Sequence, residues 1–173
     1  MLESVAGVGM GNTVTAQILR RLIDIPVVEL TPCRAAMEGG AKRRYRAVIV
    51  ENFEVAPKGT FTPCGAARWA MAEQTDVTVV SLDDAEGRRL AERSDMPVYA
   101  YSDGRPQADL TAKQVCLRSG RLEFEALTHR ELLRVSVPLL HGPRLYDYLA
   151  ALAGALALGA PLKETAARLS TVW

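Results

Sequence analysis

Residues 75–101 read TDVTVVSLDDAEGRRLAERSDMPVYAY, and this stretch decides the fold. TDVTVVS is a short apolar run dominated by β-branched side chains, the composition of a strand buried on both faces. The Asp83-Asp84 pair follows, then AEGRRLAERSD with helical spacing, then MPVYAY as a further strand. Strand, helix and strand in immediate succession argue for a parallel sheet with helices packed on it.

Toward the N-terminus the same alternation continues. Val5 and Ala6 end a short opening strand. Thr13 to Ile23 carries Val14, Ile18, Leu19 and Leu22 at helical spacing. IPVVEL (25–30) and RAVIVEN (46–52) read as buried strands, joined by the polar connection CRAAMEGGAKRRYR (33–46). EVAPKGTFTP (54–63) is a loop by its Pro and Gly content, and Cys64 to Glu73 reads as helix.

Toward the C-terminus the pattern changes. QVCLRSGRLEFEAL (114–127) holds two alternating runs around Ser119-Gly120, a hairpin signal, and LLRVSVPLL adds a third antiparallel strand. Leu145 to Leu158 is a helix closed by Gly159, and Leu162 to Leu169 a second one after Pro161. The expected class is α/β: a mostly parallel, P-loop-type sheet flanked by helices. A small antiparallel annex at about residues 114–139 completes a single domain over 1–173.

Composition narrows the function. The chain of 173 residues is 49% hydrophobic and 24% charged, with a net charge of +1, so no general attraction to nucleic acid or anionic membrane is expected. Three separated cysteines (Cys33, Cys64, Cys116) have neither disulfide-framework nor metal-ligand spacing, and they suit a reducing, cytoplasmic compartment. No basic leader opens the chain, and the most apolar segment, YLAALAGALALGAPL, is shorter than the roughly 20 residues a membrane span needs.

SVAGVGMGNTVTAQILRRLI (4–23) is a glycine-dense turn running into an amphipathic helix, the form of a phosphate loop. Gly7, Gly9 and Gly11 can give backbone N–H groups to an anion, and Thr13 stands where a metal-binding hydroxyl would. Asn12 occupies the place of the lysine and brings no charge. A bare strand-to-helix turn with no ligand explains the same residues. A dinucleotide fingerprint is a third reading. It asks for glycine where Asn12 stands, although Glu29 is spaced as a ribose-binding acid would be.

The stretch 75–101 resembles the Mur ligases, ATP-dependent enzymes that add amino acids to the peptidoglycan precursor. Where that family has Asn-Ala-Asp-Asp, then a Gly and a helix, this chain has Ser81-Leu82-Asp83-Asp84-Ala85-Glu86-Gly87. VPLLHGPRLYDYLAALAGALALGAPL (137–162) is similar to the family's Pro-Leu…Gly…Asn-x-x-Asn-x-Leu-Ala-Ala stretch and its Leu-Gly-x-Pro turn. The resemblance is to the family's central, ATP-binding domain, without its UDP-sugar domain or its C-terminal domain.

The family's functional positions are altered in this chain. The resemblance places Asn12 at the phosphate-loop lysine, Glu38 at a magnesium-binding Glu, Arg68 at the lysine that is carbamylated in several members, and Arg144 and Asp147 at two Asn positions of the adenine pocket. VIVENFEVAPKGT lacks the family's Asp-His pair and offers only Glu51 and Glu54. An arginine stays positive and cannot be carbamylated, and an ionised carboxylate accepts hydrogen bonds but donates none.

Loss of the lysine and of the metal ligands together removes the charge stabilisation on which phosphoryl transfer depends. The expectation is a Mur-ligase-like domain without ligase activity and with no required cofactor, although ATP and magnesium remain candidates. It would act by binding a nucleotide, another anion, a protein partner such as a ligase or cell-envelope enzyme, or a second copy of itself. The alternative is one component of a split ATP-dependent amide ligase, completed by a partner chain. Trp69 and Trp173 are candidate anchors for a partner.

Overall fold

The computed structural model describes residues 5–8, 14–30, 45–50, 75–92, 95, 97–139 and 144–172. In chain order these form β1 (Val5–Val8), α1 (Val14–Leu22), β2 (Val27–Leu30), β3 (Tyr45–Val50), β4 (Thr75–Ser81), α2 (Ala85–Ala91), β5 (Val98–Asp103), β6 (Leu110–Arg118), β7 (Arg121–Thr128), β8 (Leu132–Pro138), α3 (Leu145–Ala157) and α4 (Leu162–Leu169). The helix expected over Cys64–Glu73 lies outside the described residues.

All eight strands join one sheet in the order β2-β1-β3-β4-β5-β6-β7-β8. Pairing is parallel from β2 through β6 and antiparallel from β6 to β8. The antiparallel region expected at about residues 114–139 is β6 to β8; it starts at Leu110 and continues the parallel sheet along β5. Parallel neighbours ordinarily need a crossover of a dozen or more residues. Here six residues (104–109) suffice because Leu110 pairs with Tyr101, so the chain steps back only two residues along β5. That retreat is roughly 7 Å.

In the hairpin, Ser119 (φ 51) and Gly120 (φ 72) both adopt the left-handed conformation of a tight two-residue turn. Upstream, Gln114 (φ 51) marks a bulge between Lys113 and Cys116. Ala112 pairs with Ala126 and Leu117 with Leu122, so residues five apart in β6 share a face. Only an inserted residue permits this, because each step along a strand reverses the side chain. Alternation read from Gln114 onward does not reveal it.

Alternate residues of the central strands separate two cores. Ala47, Ile49, Val79 and Tyr101 pack with α1, α3 and α4, and Val48, Val50, Val80 and Ala100 pack with Leu90 of α2. α3 is the keystone of the first core: Tyr148 to Ala155 are all buried, and the Tyr148 hydroxyl donates to the Pro138 carbonyl at 2.7 Å. Its end is a Schellman motif, with Gly159 at φ +90 donating to Leu156 O and Ala160 donating to Ala155 O.

Gly154 lets α3 approach the sheet closely. A Cβ there would lie 2.5 Å from Ile49 Cδ1 and 3.5 Å from Leu19 Cδ1. Gly154→Ala is therefore expected to lower stability by about 1–2 kcal/mol despite alanine's better helix propensity. Ile49→Val removes the offending methyl and alone costs about 1 kcal/mol. In denaturant melts the double variant should be more stable than the sum of the two changes. Strict additivity would mean that the glycine does not serve this contact.

Candidate functional site

The order β2-β1-β3-β4-β5 makes β1 the point at which the chain reverses direction across the sheet. In open parallel sheets, ligands bind at the C-terminal strand ends beside such a switch point. Gly7 lies inside β1, flanked by Glu29 of β2 and Ile49 of β3. Gly9, Gly11, Asn12, Thr13, Glu38, Glu51, Glu54, Arg68, Trp69 and Trp173 lie outside the described residues.

α1 leaves from this point. It has no acidic residue in its first turn, whereas α2, α3 and α4 each carry one (Glu86, Asp147 and Glu164). Thr15, 1% exposed in the first turn of α1, has a hydroxyl with no hydrogen-bond partner. Glu29, the acid spaced for a ribose, accepts from Arg20 Nη1 at 2.6 Å. Its carboxylate thus ties β2 to α1.

The Asp83-Asp84 pair divides into two tasks. Asp84 caps α2, its Oδ2 accepting from Gly87 N at 3.2 Å. Asp83 gathers three elements at the C-terminal rim. Its Oδ1 accepts from Ser102 Oγ at 2.7 Å and Arg105 Nε at 3.2 Å. Its Oδ2 accepts from Asp103 N at 2.7 Å and Tyr146 O–H at 3.1 Å. Ser102 Oγ in turn accepts from Arg105 N at 3.1 Å, and Arg88 Nη1 donates to the carbonyls of Leu82 and Asp83 at 2.8 and 3.2 Å.

The carboxylate therefore fastens the start of α3 to the ends of β4 and β5. The strand spacing puts this cluster roughly 10 Å along the rim from β1. Sequence reading singled out Asp83 as part of a motif and missed Tyr146, whose only signal was an aromatic next to Asp147.

Burial pushes the Tyr146 phenol up to about 12, and the carboxylates of Asp83 and Asp103 add to the shift while Arg105 opposes it. Burial likewise raises Tyr99 to about 12, with Asp109 contributing. A phenol whose pKa is higher folded than unfolded stabilises the fold below pH about 10, and that contribution is lost as the pH rises through about 12. Tyr99 and Tyr146 should therefore ionise late in the near-ultraviolet phenolate absorbance. Tyr146→Phe should remove one late step, and an unchanged curve would refute the Asp83 contact.

Arg144 and Asp147, the two residues placed at the adenine pocket by resemblance, come together at the start of α3. Arg144 is the N-cap, and its backbone N–H donates to Asp147 Oδ2 at 2.6 Å. This cap, in which the Asp147 carboxylate accepts from the N-cap amide at the positive end of the helix, explains an acid three residues inside it. Among the described residues no group of three or more His, Cys, Asp or Glu is placed to hold a metal, and no helix is long and apolar enough to cross a membrane.

No family model matches the sequence, nor does any curated protein. Solved structures do match. MurF from Acinetobacter baumannii superposes with a TM-score of 0.74 at 17% identity, over 98% of this chain and 45% of that one. A UDP-N-acetylmuramoyl-L-alanyl-D-glutamate–2,6-diaminopimelate ligase gives 0.78 at 14% identity, over 98% and 46%. MurF from Thermotoga maritima, in complex with ADP, gives 0.70 at 15% identity, over 95% and 48%. The fold is that of a Mur-ligase-like domain, and the chain spans less than half the length of these enzymes.

Proposed function

We propose that this chain is a binding domain built on a Mur ligase frame, which takes a nucleotide or another anion, or docks a protein partner, without itself catalysing ATP-dependent ligation. One juxtaposition carries the reading: the N-terminus of α1 stands at the switch point with no acidic residue and a buried, unpartnered Thr15 hydroxyl, while the loop before it has Asn12 in place of the lysine. The helix end and loop amides favour an anion. Neutral Asn12 supplies no positive charge to a transferring phosphoryl group.

The adenine end supports the same reading. Asp147 spends one carboxylate oxygen on the cap of its own helix. A link to cell-wall peptidoglycan synthesis in the cytoplasm is an extension of the likeness to the Mur enzymes.

The test is a thermal-shift and calorimetric titration with ATP, ADP and a non-hydrolysable ATP analogue, with and without magnesium. A ligand at 100 times its Kd should add about 2.7 kcal/mol. The expected result is a shift without turnover, abolished by Gly11→Asp and strengthened by Asn12→Lys. Absence of any shift would overturn the anion site and leave protein docking as the function. Hydrolysis by the chain alone would overturn the non-catalytic reading. Hydrolysis that appears only with a second chain, and depends on Thr13, would establish the split ligase instead.

A further inference from the structure

A cavity of about 450 Å³ opens between α2, the end of β4, β5 and the 104–109 connection, on the sheet face opposite α3. One wall is apolar, made by Leu82, Ala91, Val98 and Ala100, and Arg88 and Arg105 line it as well. The two guanidinium groups meet at one residue, Arg88 on the Asp83 carbonyl and Arg105 on the Asp83 carboxylate.

Their charges are not equally answered. Arg105 pairs with Asp83 through Nε alone, at 3.2 Å. Arg88 is half-buried, and its contacts are two neutral carbonyls, with no carboxylate within ion-pair distance among the described residues. Glu92, one turn further on and also in the lining, makes no ion pair with it. Asp109, the other acid of the lining, is occupied by Ala100 N at 2.7 Å and His129 Nε2 at 3.2 Å. A half-buried cation without a counter-charge is unfavourable, and the free N–H groups of both arginines remain available to a bidentate acceptor.

From this cavity we infer a second ligand site, for a small organic carboxylate with a branched aliphatic body. The carboxylate takes the free N–H groups of Arg88 and Arg105, and the aliphatic body lies on Leu82, Ala91, Val98 and Ala100. The volume suits a molecule of N-acylated amino-acid size. The site is independent of the phosphate loop, since it lies under β4 and β5 on the α2 face.

The probe is N-acetylleucine, with N-acetylleucinamide as its uncharged counterpart, titrated into the full chain and followed by amide NMR shifts and calorimetry. The acid should bind saturably and shift the amides of Ala91, Val98 and Ala100. The amide should bind at least tenfold more weakly. Arg88→Gln should weaken the acid at least tenfold. Ala91→Phe, which fills the groove but leaves both arginines in place, should abolish binding while the melting temperature holds. Gly11→Asp should change nothing. No saturable binding, equal binding of acid and amide, binding undiminished in Ala91→Phe, or loss on Gly11→Asp would each overturn the proposal.

Discussion

Gly87→Ala is expected to lower stability by at least about 3 kcal/mol, near the upper end for an overpacked site. A Cβ at this position would overlap the carbonyl oxygen of Ser81 and lie 3.1 Å from its carbonyl carbon. Both atoms belong to the backbone at the end of β4, which is held against Tyr101 of β5 and cannot give way as a side-chain tip can. The strain can be relieved only by lifting α2 from the sheet, which exposes Leu90, now fully buried, and opens the cap made by Asp84 on Gly87 N. In a chain of this size the loss corresponds to a fall of about 6–12 °C in Tm. A Gly87→Ala variant within 2 °C of wild type, roughly the effect of half a kcal/mol, would contradict the close approach. This contact gives the glycine of the Asp-Asp-x-x-Gly stretch a physical cause: it lets the helix sit on the strand that precedes it.

Asp83→Ala is expected to cost about 3 kcal/mol, through unsatisfied donors rather than lost volume. It strips an acceptor from Ser102 Oγ, which belongs to a residue with no exposure, and from the backbone N–H of Asp103, and it leaves Arg105 without its carboxylate. Asp83→Asn keeps one acceptor oxygen but turns an amide N–H₂ toward a second donor, so it should cost less, about 2 kcal/mol.

A second readout separates this role from general destabilisation. Two of the causes that raise Tyr146, the charge of Asp83 and its hydrogen bond, disappear in Asp83→Ala. The phenol should ionise earlier than in wild type while keeping the part of its shift due to burial. A Tyr146 titration unchanged in Asp83→Ala would refute the cluster even if the protein were destabilised.

Several features were legible because they are local. The apolar period of Thr13 to Ile23 marked the stretch that forms α1 (Val14–Leu22), Gly159 closes α3 at φ +90, and Ser119-Gly120 forms the hairpin turn. The β-branched run before Asp83 is strand β4, and the alternation of strands and helices gave the α/β class. These follow from backbone sterics and hydrophobic period within a dozen residues, which the chain carries wherever it folds.

Tertiary structure decided the rest. The sequence does not say that β1 stands between β2 and β3, which makes its glycine turn the switch point. Nor does it say that β6 extends the parallel sheet, because the Tyr101–Leu110 register has no local signature. The bulge at Gln114 reverses a face without changing the composition of the strand. Asp83 and Tyr146 lie 63 residues apart, and their hydrogen bond exists only because α3 packs across the ends of β4 and β5. Local periodicity determines which segments become helix or strand, but the candidate rim is made by close packing among segments distant in the chain. That packing is fixed only when all of them bury their apolar faces together.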